Sequence, residues 1–144
     1  MPIWKKPVDM QAIARTGEGN LLGALGIRIS DMGEDYIRGH MPVDARTRQP
    51  FGVLHGGASV SLAESLGSFG AWMCVPPGGG HVVGIEINAN HLRAVRDGEV
   101  IGTGRPLHLG RTTQVWEIRI TDPEDRLVCI SRLTLAVVPE SRSA

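Results

Sequence analysis

The stretch Gln49-Pro-Phe-Gly-Val-Leu-His-Gly-Gly-Ala-Ser-Val-Ser-Leu-Ala-Glu64 decides the fold. It sets a histidine and two glycines at the entry to one long helix and a lone carboxylate about two turns in. From Gly56 to about Val75 the chain is apolar or small nearly all round, with Val60, Leu62, Ala63, Leu66, Phe69, Ala71, Trp72 and Met73. A helix without a wide charged face is normally buried. Pro76-Pro-Gly-Gly-Gly80 stops it. No Lys or Arg occurs between Arg48 and Arg93, and the acids of that span are Glu64 and Glu86. A carboxylate in such surroundings is expensive to bury and tends towards a raised pKa. That makes Glu64 a candidate for chemistry.

Downstream of the helix the pattern changes to strands. Val82–Leu92, Glu99–Leu109, Thr112–Thr121 and Leu127–Val138 are rich in β-branched residues, with turns at Asp97-Gly98 and Asp122-Pro-Glu-Asp125. Upstream, Ile27–Ser30 and Tyr36–Met41 alternate apolar and polar around the turn Asp31-Met-Gly-Glu-Asp35. Val8–Thr16 reads as a short amphipathic helix, and Pro42–Pro50 as a polar loop. Four consecutive strands after one buried helix describe an α+β fold, an antiparallel sheet wrapped around that helix. Its open edges favour pairing between subunits.

The 144 residues suggest one domain, spanning 1–144. A chain of this size buries roughly 70% of its unfolded surface without needing metal or disulfide staples. The net charge is zero with neutral histidine, which argues against nucleic acid or an anionic membrane as the main partner. Cys74 and Cys129 lie in apolar segments and read as reduced, buried thiols. No apolar stretch follows Lys5 and Lys6, and no run approaches a membrane span, so the cytoplasm is the expected compartment. G-x-S-x-G, P-loop and H-E-x-x-H patterns are absent, and the five histidines lack metal-ligand spacing, so no metal is expected.

Single residues leave alternatives open. Gly56 and Gly57 either allow a tight loop-to-helix turn or let a ligand reach the free N–H groups of the helix start. Glu64 either reaches solvent or a distant Arg, or acts as base or nucleophile, with Ser61 and Ser68 on its face. Gln49 and His55 either bond the local backbone or donate to a carbonyl oxygen. Arg93, Arg96, His108 and Arg111 are either solvated loop charges or a basic cluster for phosphates.

Several longer segments add a resemblance: Gly17-Glu-Gly-Asn20, Met41 through Ser59, Leu62-Ala-Glu-Ser65, Glu86-Ile-Asn-Ala-Asn-His91, Pro106-Leu-His-Leu-Gly110 and Gln114-Val-Trp116. Together they resemble the hotdog-fold acyl-CoA thioesterases of the phenylacetate-degradation type, over nearly the whole chain from Trp4 to Val138. The resemblance implies that Glu64 is the catalytic carboxylate. It implies that the Gly56 N–H polarises the thioester carbonyl, helped by His55 and Gln49, and that Ser68 positions water or Glu64. Coenzyme A would lie against Val83, against His91, Leu92, Arg93 and Ala94, and against His108, Leu109, Gly110, Arg111, Thr112 and Thr113. The site would form between two subunits, and dimers would pair into homotetramers. No cofactor is expected, since coenzyme A arrives as part of the substrate. Menaquinone precursors, phenylacetyl derivatives and mischarged aryl thioesters all suit such a site. Two features depart from the pattern. The expected Gly-Ser-Arg-His reads Gly110-Arg-Thr-Thr113, and Phe69 and Trp72 stand on the helix in place of other residues. A hydroxyacyl-thioester dehydratase of the same fold and a non-catalytic acyl-CoA-binding module are the competing readings.

Overall fold

In the computed structural model, which describes residues 1–141, two short helices lead into the sheet. They are α1 (Met10–Ala14) and α2 (Leu21–Leu25), separated by a 3-10 turn at Arg15–Gly17. The expected helix Val8–Thr16 starts two residues later, at Met10, and its last turn, Arg15–Gly17, is 3-10. Asp9 caps α1 by accepting from the N–H groups of Gln11 and Ala12, a contribution of about 1 kcal/mol. Asn20 caps α2, and Gly26, at φ 73°, ends it in the left-handed conformation that glycine tolerates. The sequence reading missed α2 because five residues are too few for a helical period to show.

The strands are β1 (Arg28–Met32), β2 (Ile37–Pro42), β3 (His81–His91), β4 (Glu99–Leu109), β5 (Thr113–Thr121) and β6 (Leu127–Val138). The long helix α3 (Gly56–Met73) enters between β2 and β3. All pairings are antiparallel, in the order β1-β2-β4-β5-β6-β3. This is the expected α+β architecture, with the sheet curved around α3. Asp31, expected in a turn, belongs to β1, where a register shift between Ile29 and Asp31 absorbs the irregularity.

The helix meets the sheet through small residues. A Cβ on Gly67 would lie 2.6 Å from Leu133, and one on Gly70 would lie 2.8 Å from Trp116. Gly70 therefore admits the Trp116 indole, which is fully buried. The indole N–H donates to Gln114 Oε1 at 2.9 Å, and Gln114 Nε2 donates to the Ala71 carbonyl at 3.2 Å. These bonds satisfy polar groups that would otherwise cost about 1–3 kcal/mol each. Leu62, Leu66, Ile118, Ile120, Leu133 and Leu135 are also fully buried, with Ile37, Met41 and Val100 beside them in the core.

The helix is not buried all round, as its composition suggested. Ala58, Ser59, Leu62, Ala63, Leu66, Gly67, Gly70, Ala71 and Met73 are buried. Ser61, Glu64, Ser65, Ser68 and Phe69 stay half-exposed, and Trp72 is 39% exposed. They form a stripe that the sheet does not cover. Strand β3 closes one end of the sheet and leaves an edge open among the described residues, with Val83 43% and Ile85 63% exposed. Gly84 pairs with Leu135 and Glu86 with Thr134, so Ile85 is the extra residue of a bulge.

Candidate active site

The start of α3 is built around His55. Its backbone N–H donates to Thr47 O at 2.8 Å, and the neighbouring Leu54 N–H donates to Val95 O at 2.7 Å. His55 is the N-cap, and its Nδ1 accepts from the Gly57 N–H at 2.8 Å. An accepting Nδ1 places the proton of the neutral ring on Nε2, which is left as a donor. The same bond uses up the Gly57 N–H. No acceptor engages the Gly56 N–H among the described residues, and it points from the positive end of the helix dipole. His91 lies against this glycine, since a Cβ on Gly56 would meet its Nε2 at 3.0 Å.

Gln49 is fixed by a tight turn. Its N–H donates to Val53 O at 2.8 Å, its carbonyl accepts from Gly52 N–H at 3.0 Å, and Gly52 has φ 88°. Its Oε1 accepts from the Phe51 N–H, so the amide NH2 is the free end of the side chain. Gln49, Gly56, His91, Leu92, Arg93 and Ala94 line one cavity of about 430 Å³. Carbonyl donors and part of the expected coenzyme A segment thus come together.

Glu64 does not face this cavity. It is eight residues further along the same helix, about 12 Å away at 1.5 Å per residue. It lines a separate cavity of about 310 Å³ with Leu21, Val60, Ser61, Ser65 and Gly84. Burial pushes its carboxyl above the usual range, with no cation offsetting it. Ser61 donates to the Gly57 carbonyl at 2.9 Å and Ser65 to the Ser61 carbonyl at 2.6 Å. The Ser61 hydroxyl is therefore spent on the helix backbone rather than on the carboxylate. Ser68 stands one turn beyond Glu64, in the adjoining recess with Ser65, Phe69 and Trp72.

The strand beside Glu64 supplies a residue that sequence reasoning missed. A Cβ on Gly84 would lie 2.6 Å from Glu64 Oε1. The carboxylate occupies the space a side chain would take at the bulge. A glycine inside a strand signals close approach, but only the fold shows what approaches.

The expected coenzyme A residues also divide. Val83 pairs with Ala136, which pairs in turn with Thr113, so Val83 and the turn carrying His108–Thr113 share one end of the sheet. His91 pairs with Cys129 at the other end. Eight strand residues separate Val83 from His91, about 27 Å. Arg93 and Arg111 are therefore not one basic cluster within a chain. Beside Arg93 and Arg96 lies a recess that also holds Asp97, Asp122, Glu124 and Arg126. There Arg126 is neutralised by Asp122 at 2.7 Å, and the hydrogen bond from the Arg126 backbone N–H, with its guanidinium, holds the Asp122 carboxyl below the usual range. Neither Arg93 nor Arg111 enters a salt bridge among the described residues.

One helix thus carries a donor end and a carboxylate that line separate cavities. The Thioesterase superfamily model matches residues 51–129, and the chain belongs to that family. It is a thioester hydrolase of the hotdog fold. Among curated relatives, it is 53% identical to the 1,4-dihydroxy-2-naphthoyl-CoA hydrolase of Escherichia coli, covering 94% of this chain and 99% of that one. It is 49% identical to a proofreading thioesterase of Cronobacter turicensis, covering 94% and 98%. Among solved structures, a thioesterase from Haemophilus influenzae superposes with a TM-score of 0.92 at 50% identity, covering 95% of both chains. A mutant thioesterase from Pseudomonas aeruginosa superposes at 0.93 with 46% identity, covering 96% and 99%. No helix among the described residues is long and apolar enough to cross a membrane.

Proposed function

We propose that this protein hydrolyses an aromatic acyl-CoA, with 1,4-dihydroxy-2-naphthoyl-CoA the leading candidate, at a site completed by two copies of the chain. One observation carries the reading. The free Gly56 N–H and the half-buried Glu64 face different cavities of one chain, each with part of the expected machinery around it. Antiparallel pairing of the two exposed β3 edges about a two-fold axis near Glu86 reverses one copy against the other. The Val83 end of one strand then meets the His91 end of its mate. This joins Glu64, Ser68, Val83 and His108–Thr113 of one copy to Gln49, His55, Gly56 and His91–Ala94 of the other. Each dimer holds two equivalent sites, and dimers pair into a homotetramer. The substrate name comes from the Escherichia coli relative, the likeness extending over almost all of both chains.

The chemistry follows from the two halves. The Gly56 N–H, supported by His55 Nε2–H and the Gln49 amide, polarises the thioester carbonyl and receives the negative charge as carbon becomes tetrahedral. Glu64 of the other copy either attacks that carbon or removes a proton from the attacking water. Collapse of the tetrahedral species breaks the C–S bond, and the coenzyme A thiolate leaves and takes up a proton. If Glu64 attacks, a mixed anhydride forms, and water then cleaves it to the free acid. Ser68, one turn away, positions the water. Arg93 and Arg111, from different copies, meet the coenzyme A phosphates. No cofactor takes part. Burial pushes the Cys74 thiol up to about 11, and Cys129 is raised for the same reason. Inert thiols of this kind suit a reducing compartment such as the cytoplasm.

A thiol-release assay over a panel of aryl and alkyl acyl-CoA esters tests the reading. Glu64→Ala should lower kcat at least ~10²-fold, the scale of a lost general base, and retain most coenzyme A affinity. Turnover near that of the unmodified protein in folded Glu64→Ala would exclude this role.

A further inference from the structure

The end of β3 runs up against the entry to α3. Beyond the bulge, Ile87 and Ala89 pack against the core, while Asn88 and Asn90 are exposed. Side chains alternate along a strand, so His91 takes the helix-facing phase of Ile87 and Ala89. Its ring comes to rest beside Gly56. A Cβ on that glycine would lie 3.0 Å from Nε2 and 3.1 Å from Cε1, with Cδ2 at 3.4 Å. The tip of the imidazole, rather than its stem, therefore meets the glycine. The backbone fixes it there, since His91 pairs with Cys129 and the Leu92 N–H donates to Val128 O at 2.8 Å.

Among the described residues, the imidazoles that take part in hydrogen bonds are those of His40 and His55. Both ring nitrogens of His91 are thus free, and an imidazole carries at least one N–H donor. Gly56, His91, Arg93 and Ala94 line the same cavity of about 430 Å³. A thioester laid along it meets these residues in a fixed order. The carbonyl oxygen goes to the Gly56 N–H, and the pantetheine arm leads towards Arg93. Oxygen and sulfur are bonded to the same carbon, so a group beside Gly56 on the Arg93 side stands next to the sulfur.

We propose that His91 is a further catalytic residue, whose Nε2–H donates to the coenzyme A sulfur as the C–S bond breaks. The proposal rests on the thioester carbonyl lying at Gly56, and it moves His91 from the nucleotide contacts to the reacting atoms. When the tetrahedral species collapses, the electron pair of the C–S bond passes to sulfur. The His91 N–H stabilises that thiolate through a charge-assisted hydrogen bond. The thiolate then takes its proton from water, so the imidazole ends the step as it began. A donor aimed at charge that develops only in the transition state speeds the bond cleavage itself, whereas a nucleotide contact supplies uniform binding.

His91→Leu removes the donor, and His91→Gln returns an N–H near the same place. Both are assayed with benzoyl-CoA and S-benzoylpantetheine, reading the single-turnover rate of thiol release, which isolates C–S cleavage. His91→Leu should slow both esters at least ~10-fold, the scale of a lost hydrogen bond to a charged group. His91→Gln should recover most of that loss. Weaker binding of benzoyl-CoA alone, with the pantetheine ester untouched, overturns the proposal and returns His91 to the nucleotide. A loss that His91→Gln does not recover marks a structural side chain and overturns it as well. If His91→Leu does not fold, nitrogen NMR of the unmodified protein decides. The His91 ring signals should move with coenzyme A and stay in place with an analogue lacking the sulfur, and equal shifts overturn the proposal. Turnover of benzoyl-CoA that is indifferent to His91→Leu sinks this role alone. No turnover of any acyl-CoA ester sinks the thioesterase reading itself.

Discussion

Glu64 illustrates how the residue proposed to carry the chemistry works against stability. Folding half-buries its carboxyl without a cationic partner, so its folded pKa lies above the unfolded value of about 4.5. Between those two values the folded state binds more protons than the unfolded one, and stability falls as pH rises through that window. Above it, the buried charge is a constant penalty. Glu64→Gln removes that penalty and should raise Tm at pH 8 by about 3 °C for a chain of this size. The gain should disappear as pH drops below the unfolded pKa, which paired thermal scans at pH 4 and pH 8 would show. In the proposed mechanism the carboxylate must be ionised, so the acid limb of kcat/KM should fall at a pH above 4.5. Gly84 belongs to the same scale. Its φ is not positive, so alanine there meets no backbone strain, only the carboxylate 2.6 Å away. Gly84→Ala should leave Tm within about 2 °C and lower kcat roughly 10-fold or more by displacing Glu64, as small misplacements of reacting groups do. Equal losses in Tm and kcat would instead point to a folding defect.

At the scale of elements, α3 and β3 do different work. The helix is a ruler. It holds an N-terminal donor and a carboxylate about 12 Å apart on one rigid axis, with the small residues Gly67 and Gly70 seating it on Leu133 and Trp116. The strand divides the expected coenzyme A contacts between its two ends, Arg93 beyond one and Arg111 near the other. Remote phosphate contacts mainly supply binding that is equal in ground and transition states. Replacing Arg93 or Arg111 by Ala should therefore raise KM several-fold with little change in kcat, and should flatten the salt dependence of kcat/KM. A pantetheine thioester, which lacks the nucleotide, should register neither change. Equal damage to both substrates would remove these arginines from the nucleotide site.

The whole molecule raises the question of where one active site ends and the next begins. The proposed site takes its donors from one copy and its carboxylate from the other, since the two line different cavities of a single chain. Glu64→Ala and His55→Ala should each be inactive. Mixed under conditions that exchange subunits, random pairing makes about half of the dimers hybrid. Every hybrid then holds one doubly damaged and one intact site, and roughly a quarter of the original activity should return. If exchange is confirmed independently by mass spectrometry and no activity returns, each chain builds its own site.

Much of this was legible in the sequence because it depends on local pattern. The breaker run at Pro76–Gly80, the apolar run from Gly56 and the β-branched segments after it placed α3 and the four long strands within a few residues. Periodicity is a property of neighbours along the chain, and it survives without knowledge of the fold. The lone, uncompensated Glu64 was visible for the same reason, since no cation follows Arg48 until Arg93. What lay hidden depends on partners distant in the chain. Which helix stripe stays uncovered, that Gly84 yields its space to Glu64, and that Ile85 bulges out were decided by how β3 lies across α3. Arg93 and Arg111 looked like one cluster because they are close in sequence, yet the strand order sets them at opposite ends of the sheet. The sequence by itself determined the elements and the chemistry each can carry. Only the tertiary structure decided which groups share a cavity, because antiparallel pairing reverses direction at every turn and sequence proximity does not measure distance across a sheet.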